Sequence, residues 1–247
     1  MMKRLSLLML MLSFSALHAE EGKFHRLRVL TVGNRAPFKQ EVRDGVRYEI
    51  DPPEGSLPPR EISVGFVKPG DEAEDSSERL SLRLGEVSGG VQVTVKEGEA
   101  PVVTLRDSST GDVWLKAPLG GGDATLLVVW RVGAKWDKVR FLALDESKQA
   151  VPAQATRVVN VCSGDVGVTW GEKKLLLKPG KQAKLEFPAG ATGGRLLVQY
   201  PQGGGLATAI DTNVENEAGT LRQWVVFQAD RKDSRQPVQV LPVIGNR

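Results

Sequence analysis

The chain is poor in the residues on which most protein chemistry depends. Its 247 residues include one cysteine, Cys162, and two histidines, His18 and His25. A disulfide framework needs paired cysteines, so the fold must be held by its core unless Cys162 bridges two molecules. Histidine-based zinc sites and Ser-His-Asp or Cys-His nucleophile systems need partners that are missing here, because His18 falls in a leader segment and leaves His25 alone. Helical periodicity is nearly absent after residue 20, and no later apolar stretch is long enough to span a membrane. These shortages leave a strand-rich chain with little catalytic equipment.

The leader itself is well formed. Lys3 and Arg4 precede the apolar run "LSLLMLMLSFSAL", and the small residues Ala16 and Ala19 stand just ahead of Glu20. This is the anatomy of a cleaved secretory signal over residues 1–19, too short for a membrane span. No cysteine lies at the cleavage region, so a lipid anchor is not expected, and the product should be periplasmic or secreted. Removing Lys3 and Arg4 takes two from the 33 basic side chains, leaving them nearly balanced against 30 acidic ones. Nucleic-acid binding normally draws on a clustered cationic excess, so nucleic acid is not an expected partner.

Period-two alternation recurs throughout the rest. Val91, Val93 and Val95 alternate with Gln92, Thr94 and Lys96, and Leu80, Leu82 and Leu84 do the same upstream. The pair reads as a hairpin around "GEVSGG" with one face on a core. "KKLLLKPGKQAKLEF" repeats the plan around a Pro179-Gly180 turn. The order of elements repeats as well. "RVLTVGN" from Arg28 matches "RVVNVCS" from Arg157, "PVVTLRD" matches "RLLVQYP", and the two-run element at Leu126–Leu144 matches that at Gln223–Ile244. The first half carries a Pro-rich insertion, residues 43–79, in which "EISVGFV" is read as an edge strand and the acidic "DEAEDSSE" as a solvated loop tip.

Sheets with one apolar face bury it by stacking in pairs. The expectation is therefore an all-β fold: two tandem antiparallel β-sandwich domains of immunoglobulin-like type, at residues 24–147 and 153–247, after a signal at residues 1–19. The linker Asp145–Ala155, with Pro152, should restrict their relative orientation. Pro237 and Pro242 place the last strand at a sheet edge.

The candidate sites are few. Asp145 with Glu146, and Glu215 with Glu217, are the carboxylate pairs a hydrolase would need, and they read as ordinary surface acids. "LGGGD" and "QGGGL" lack the strand-to-helix context of a phosphate cradle and read as turns. No catalytic residue, metal or cofactor is expected. The aromatic residues are the better lead. Trp130 belongs in the core, whereas Trp136, between Lys135 and Asp137, and Trp170, before Gly171, sit at turns where an exposed ring would stack on a sugar or dock a partner.

The organisation resembles that of uncharacterised exported proteins of bacterial cell envelopes with tandem β-sandwich domains. It is similar in plan to periplasmic pilus chaperones, which act by strand donation. That resemblance implies a donor-like strand at "VRFLALD", with Phe141 and Leu142 as its partner-facing residues. Through "RVVNV" and the Pro-Gly turn the chain also resembles accessory proteins of exopolysaccharide modification. The leader, the strand-rich duplication and the missing catalytic side chains point to a non-enzymatic protein that binds or organises an envelope protein or polysaccharide.

Overall fold

The computed structural model describes residues 23–34, 39–67, 78–95, 102–230 and 234–246. The expected signal and most of the acidic run at residues 71–78 lie outside them. The described residues form strands and no helix. The first half contains β1 (Lys23–Val32), β2 (Lys39–Arg43), β3 (Val46–Ile50), β4 (Glu61–Val67), β5 (Arg79–Ser81), β6 (Val91–Val95), β7 (Val102–Asp107), β8 (Val113–Pro118), β9 (Ala124–Arg131) and β10 (Val139–Asp145). The second contains β11 (Ala155–Asn160), β12 (Val166–Trp170), β13 (Lys173–Leu177), β14 (Gln182–Glu186), β15 (Gly193–Gln202), β16 (Gly205–Glu215), β17 (Thr220–Gln228) and β18 (Val238–Asn246).

The repeat holds strand for strand. The sheet β10-β9-β1-β6 has its copy in β18-β17-β11-β14, and β5-β4-β7-β8 has its copy in β13-β12-β15-β16. Most pairings are antiparallel, but β1 with β9 and β11 with β17 run parallel, so one sheet in each half is mixed. The hairpin β2–β3 has no counterpart, and every side chain in it is exposed. It turns through Asp44 and Gly45, both at positive φ, the backbone of a tight two-residue hairpin loop.

In each half the two sheets close on a shared core. Leu27, Val29, Ile62, Leu105, Leu127 and Val129 meet in the first, and Val158, Val168, Leu196, Val198, Trp224 and Val226 in the second. The strands read as hairpins divide between sheets instead: β5 pairs with β4 and β6 with β1, while β13 pairs with β12 and β14 with β11. Alternation shows that a strand turns one face to a core, but it does not say which neighbour takes its backbone hydrogen bonds. Likewise "EISVGFV" is no edge strand: β4 lies between β5 and β7. The edges of the mixed sheets include β10 and, in keeping with Pro242, β18.

A third apolar cluster joins the halves. Leu30 and Val32 of β1, Leu126 and Val128 of β9 and Leu144 pack against Val159, Val161, Val225, Phe227 and Val243. The two mixed sheets thus stack face to face, and the molecule has four layers. This explains why β11 is buried at every position and β1 from Leu27 to Val32. Strands covered on both faces carry near-continuous apolar runs, as parallel pairs usually do.

One end of this interface is polar. Arg28 Nη2 lies 2.7 Å from Glu146 Oε1, and Arg28 Nε donates to Oε2 at 3.0 Å. Gln223 of the second half donates to the same carboxylate, and Arg157 Nε donates to Gln223 Oε1 at 2.9 Å. Arg157 Nη1 reaches back to the Asp145 carbonyl at 2.7 Å. Glu146 is only 5% exposed in its side chain. Removing one partner of such a buried pair leaves the other charge desolvated and uncompensated. We expect Glu146→Ala to lower the unfolding free energy by about 3–5 kcal/mol in urea titrations followed by tryptophan fluorescence. An unchanged midpoint would show that the network carries no stability.

Candidate ligand-binding cleft

At the opposite end the same strands run past their apolar contact, and the halves part around a cleft of about 1010 Å³. Alternation decides what lines it. On β9, Leu127 and Val129 face the first core, so Leu126, Val128 and Trp130 face the second half. The matching register on β17 sends Val225 and Phe227 the other way across the interface. Trp130, half-buried, and Phe227 therefore stand at equivalent places on opposite walls, with Val32 and Val161 beside them. Pro53, Ser56 and residues 132–134 complete one wall, and Cys162, Ser163, Pro179, Gly180 and residues 228–230 the other.

A polar bracket fixes this end. Arg131 Nη2 pairs with Asp230 Oδ2 at 2.9 Å, joining the halves, and Nη1 donates to the carbonyls of Ala134 at 2.8 Å and Ser56 at 3.2 Å. The Asn34 amide donates to Asp230 Oδ2 at 2.7 Å. Gly33 permits that approach, since a Cβ there would lie 2.9 Å from the same oxygen. Ser56 and Arg131 line the cleft, but Ser56 Oγ and Arg131 Nε are themselves buried beneath its surface, with no hydrogen-bond partner among the described residues. Cys162 is buried and unpaired by disulfide, and loss of solvation pushes its thiol up to about 12, so it lines the wall as a small inert apolar group.

The residues expected to bind are placed differently. Trp136 is 3% exposed, packed under the β9–β10 loop with its ring 6.4 Å from Trp114, whose Nε1 donates to the Trp136 carbonyl at 3.0 Å. Trp170 is 5% exposed, donates from Nε1 to the Glu186 carbonyl at 2.9 Å and meets Phe187 edge-on at 5.1 Å. Neither offers a ring face for stacking: Trp136 turns inward from its loop and leaves Lys135 and Asp137 outside, and Trp170 ends β12 with its ring in the second core. Phe141 and Leu142 lie on edge strand β10, as a donor strand would, but their side chains pack on the first core and on the inter-half cluster respectively. Trp130, assigned to the core by its apolar run, is the tryptophan that reaches the cleft. Its place at the strand's end, one register step beyond Val128, was the available signal.

The acids do not converge. Glu146 is held in the buried network, Asp145 Oδ1 accepts from the Ser147 amide at 2.8 Å, and Glu215 and Glu217 flank Arg222 at the surface. Among the described residues no group of His, Cys, Asp and Glu could hold a metal ion. No helix there is long and apolar enough to cross a membrane. His25 is 4% exposed in β1, its Nε2 is 2.8 Å from Thr125 Oγ1, and burial lowers its pKa below the ordinary 6.5.

No protein-family model matches the chain, and no curated protein matches it in sequence. A crystal structure from Bacteroides eggerthii DSM 20697, provisionally described as a cell adhesion protein, is similar at 8% identity, with a TM-score of 0.22 over 91% of this chain and 96% of the other. A score that low says nothing of role.

Two outcomes follow from the buried rings and the buried imidazole. A Cβ on Gly194 would lie 2.7 Å from the Trp170 ring, so Gly194→Ala should cost about 1–3 kcal/mol in thermal or urea unfolding. Gly164→Ala, where a Cβ meets nothing within 4 Å, should not. For His25, the unfolded chain binds a proton between the lowered folded value and 6.5 that the folded chain does not, so stability rises with pH across that window. The urea midpoint should fall from about pH 7.5 to about pH 5.5, and His25→Gln should flatten that slope. An identical slope in the variant would remove His25 as its source.

Proposed function

We propose that this is an exported, non-catalytic binding protein that holds a cell-envelope partner in the cleft between its halves. The observation that supports the reading is the cleft itself. An apolar floor with an exposed part of an indole and a polar Arg131–Asp230 bracket is the composition of a small-ligand or chain-binding site. The leader supports export, and the scattered acids and buried His25 and Cys162 favour binding over turnover. Strand donation by β10 is the weaker reading, because Phe141 and Leu142 already serve the protein's own cores.

The test compares immobilised mature protein with a Trp130→Ala variant, each shown to unfold cooperatively, for retention of separated envelope protein and polysaccharide fractions. We expect the variant to lose about ten-fold or more of the retained material, the scale of losing an aromatic anchor. Equal retention would move the site elsewhere, and turnover of any fraction would end the non-catalytic reading.

A further inference from the structure

The rims of the cleft carry a charge pattern that its floor does not. The loop and strand after β9 present Lys135, Lys138 and Arg140, all exposed, against the single acid Asp137. On the facing half, the Pro179–Gly180 turn that lines the cleft is flanked by exposed Lys178 and Lys181. None of these five cations has an ion-pair partner among the described residues. The chain as a whole is nearly balanced, with 33 basic and 30 acidic side chains, so this excess is local. Some exposed arginines elsewhere are neutralised, as Arg195 is by Asp211 at 2.6 Å, whereas Arg47 and Arg60 are exposed without an ion pair among the described residues.

Resting on the cleft reading above, we propose that the ligand is an acidic polysaccharide, bound through its uronate residues. The pyranose ring lies against the Trp130 indole, whose negative face accepts the polarised C–H groups of a sugar. The planar Arg140 guanidinium, which lines the cleft, takes the carboxylate in a two-point contact, and the lysines on both rims meet neighbouring uronates along the chain. A volume of about 1010 Å³ admits a short stretch of saccharide rather than a single ring. A peptide would instead look for a free strand edge, and the lining is mostly strand ends and turns.

The experiment is calorimetric titration of the mature chain with hexamers of galacturonate, mannuronate and hyaluronan. The same hexamers with carboxylates reduced to alcohols, monomeric glucuronate and a single-stranded oligonucleotide are the comparison ligands. We expect at least one uronate hexamer to bind, with about ten-fold loss on carboxyl reduction and on Arg140→Gln, a surface change that leaves the melting temperature unaltered. Binding should weaken further between about 50 mM and about 500 mM salt. Monomer binding as tight as hexamer binding would make the ligand a free acidic sugar and overturn the polymer. Tighter binding of the oligonucleotide, or no uronate binding at all, would overturn the ligand class. If Trp130→Ala still abolishes retention of an envelope fraction, the cleft survives that failure; if it does not, both readings fall together.

Discussion

The stacking of the two mixed sheets on each other is the contact on which the remaining architecture depends. It turns two sandwiches into four layers, buries β1, β9, β11 and β17 on both faces and sets where the cleft lies. Its apolar middle is non-directional and would tolerate sliding by itself. Direction comes from its two ends. The Arg28–Glu146–Gln223–Arg157 network pins one, and the Arg131–Asp230 pair pins the other about a hundred residues across the sequence. Both are part-buried arginine contacts with fixed geometry, which hold register better than they add stability.

The consequence for binding is preorganisation. The cleft walls belong to sheets that cannot move apart without exposing the inter-half cluster and stranding Glu146. Trp130 and Phe227 are thus held at a set separation before any ligand arrives, and little ordering remains to be done on binding. The β9–β10 loop is tied down from beneath by Trp136, whose amide donates to the Gly55 carbonyl at 2.8 Å. The tryptophan expected to touch a ligand instead anchors the loop that carries the cationic rim.

Much of this was legible in the residues. Alternation marked β6, β13 and β14, and the repeated order of segments anticipated the repeated strand order. The runs "RVLTV", "LLVVW", "RVVNV" and "WVVF" also held the clue to the four layers, because strands apolar at every position have no solvent face to spare. Backbone partners were not legible. Whether β5 joins β6 or β4 is settled by which sheet each strand enters across the sandwich, and side-chain patterns are the same either way. Nor could neighbouring charges tell that Trp136 and Trp170 turn inward, since a ring flanked by lysine or glycine can pack back over its own turn.

The register also relates the halves position by position. Arg28 corresponds to Arg157, Val32 to Val161 and, through the parallel pairs, Trp130 to Phe227. Like positions from both copies supply one interface, with the arginines at one end and the aromatic rings at the other. This is the arrangement of a two-fold homodimer whose axis runs along the strands, here written into one chain. Dilution cannot separate such a pair, and selection can treat its sides independently. The side opposite Glu146 has a glycine, Gly245, in the corresponding place, and indole faces phenyl across the cleft. A polymer of the proposed kind, lying between unlike walls, would have a single polarity, and the fused pair would tell its two ends apart.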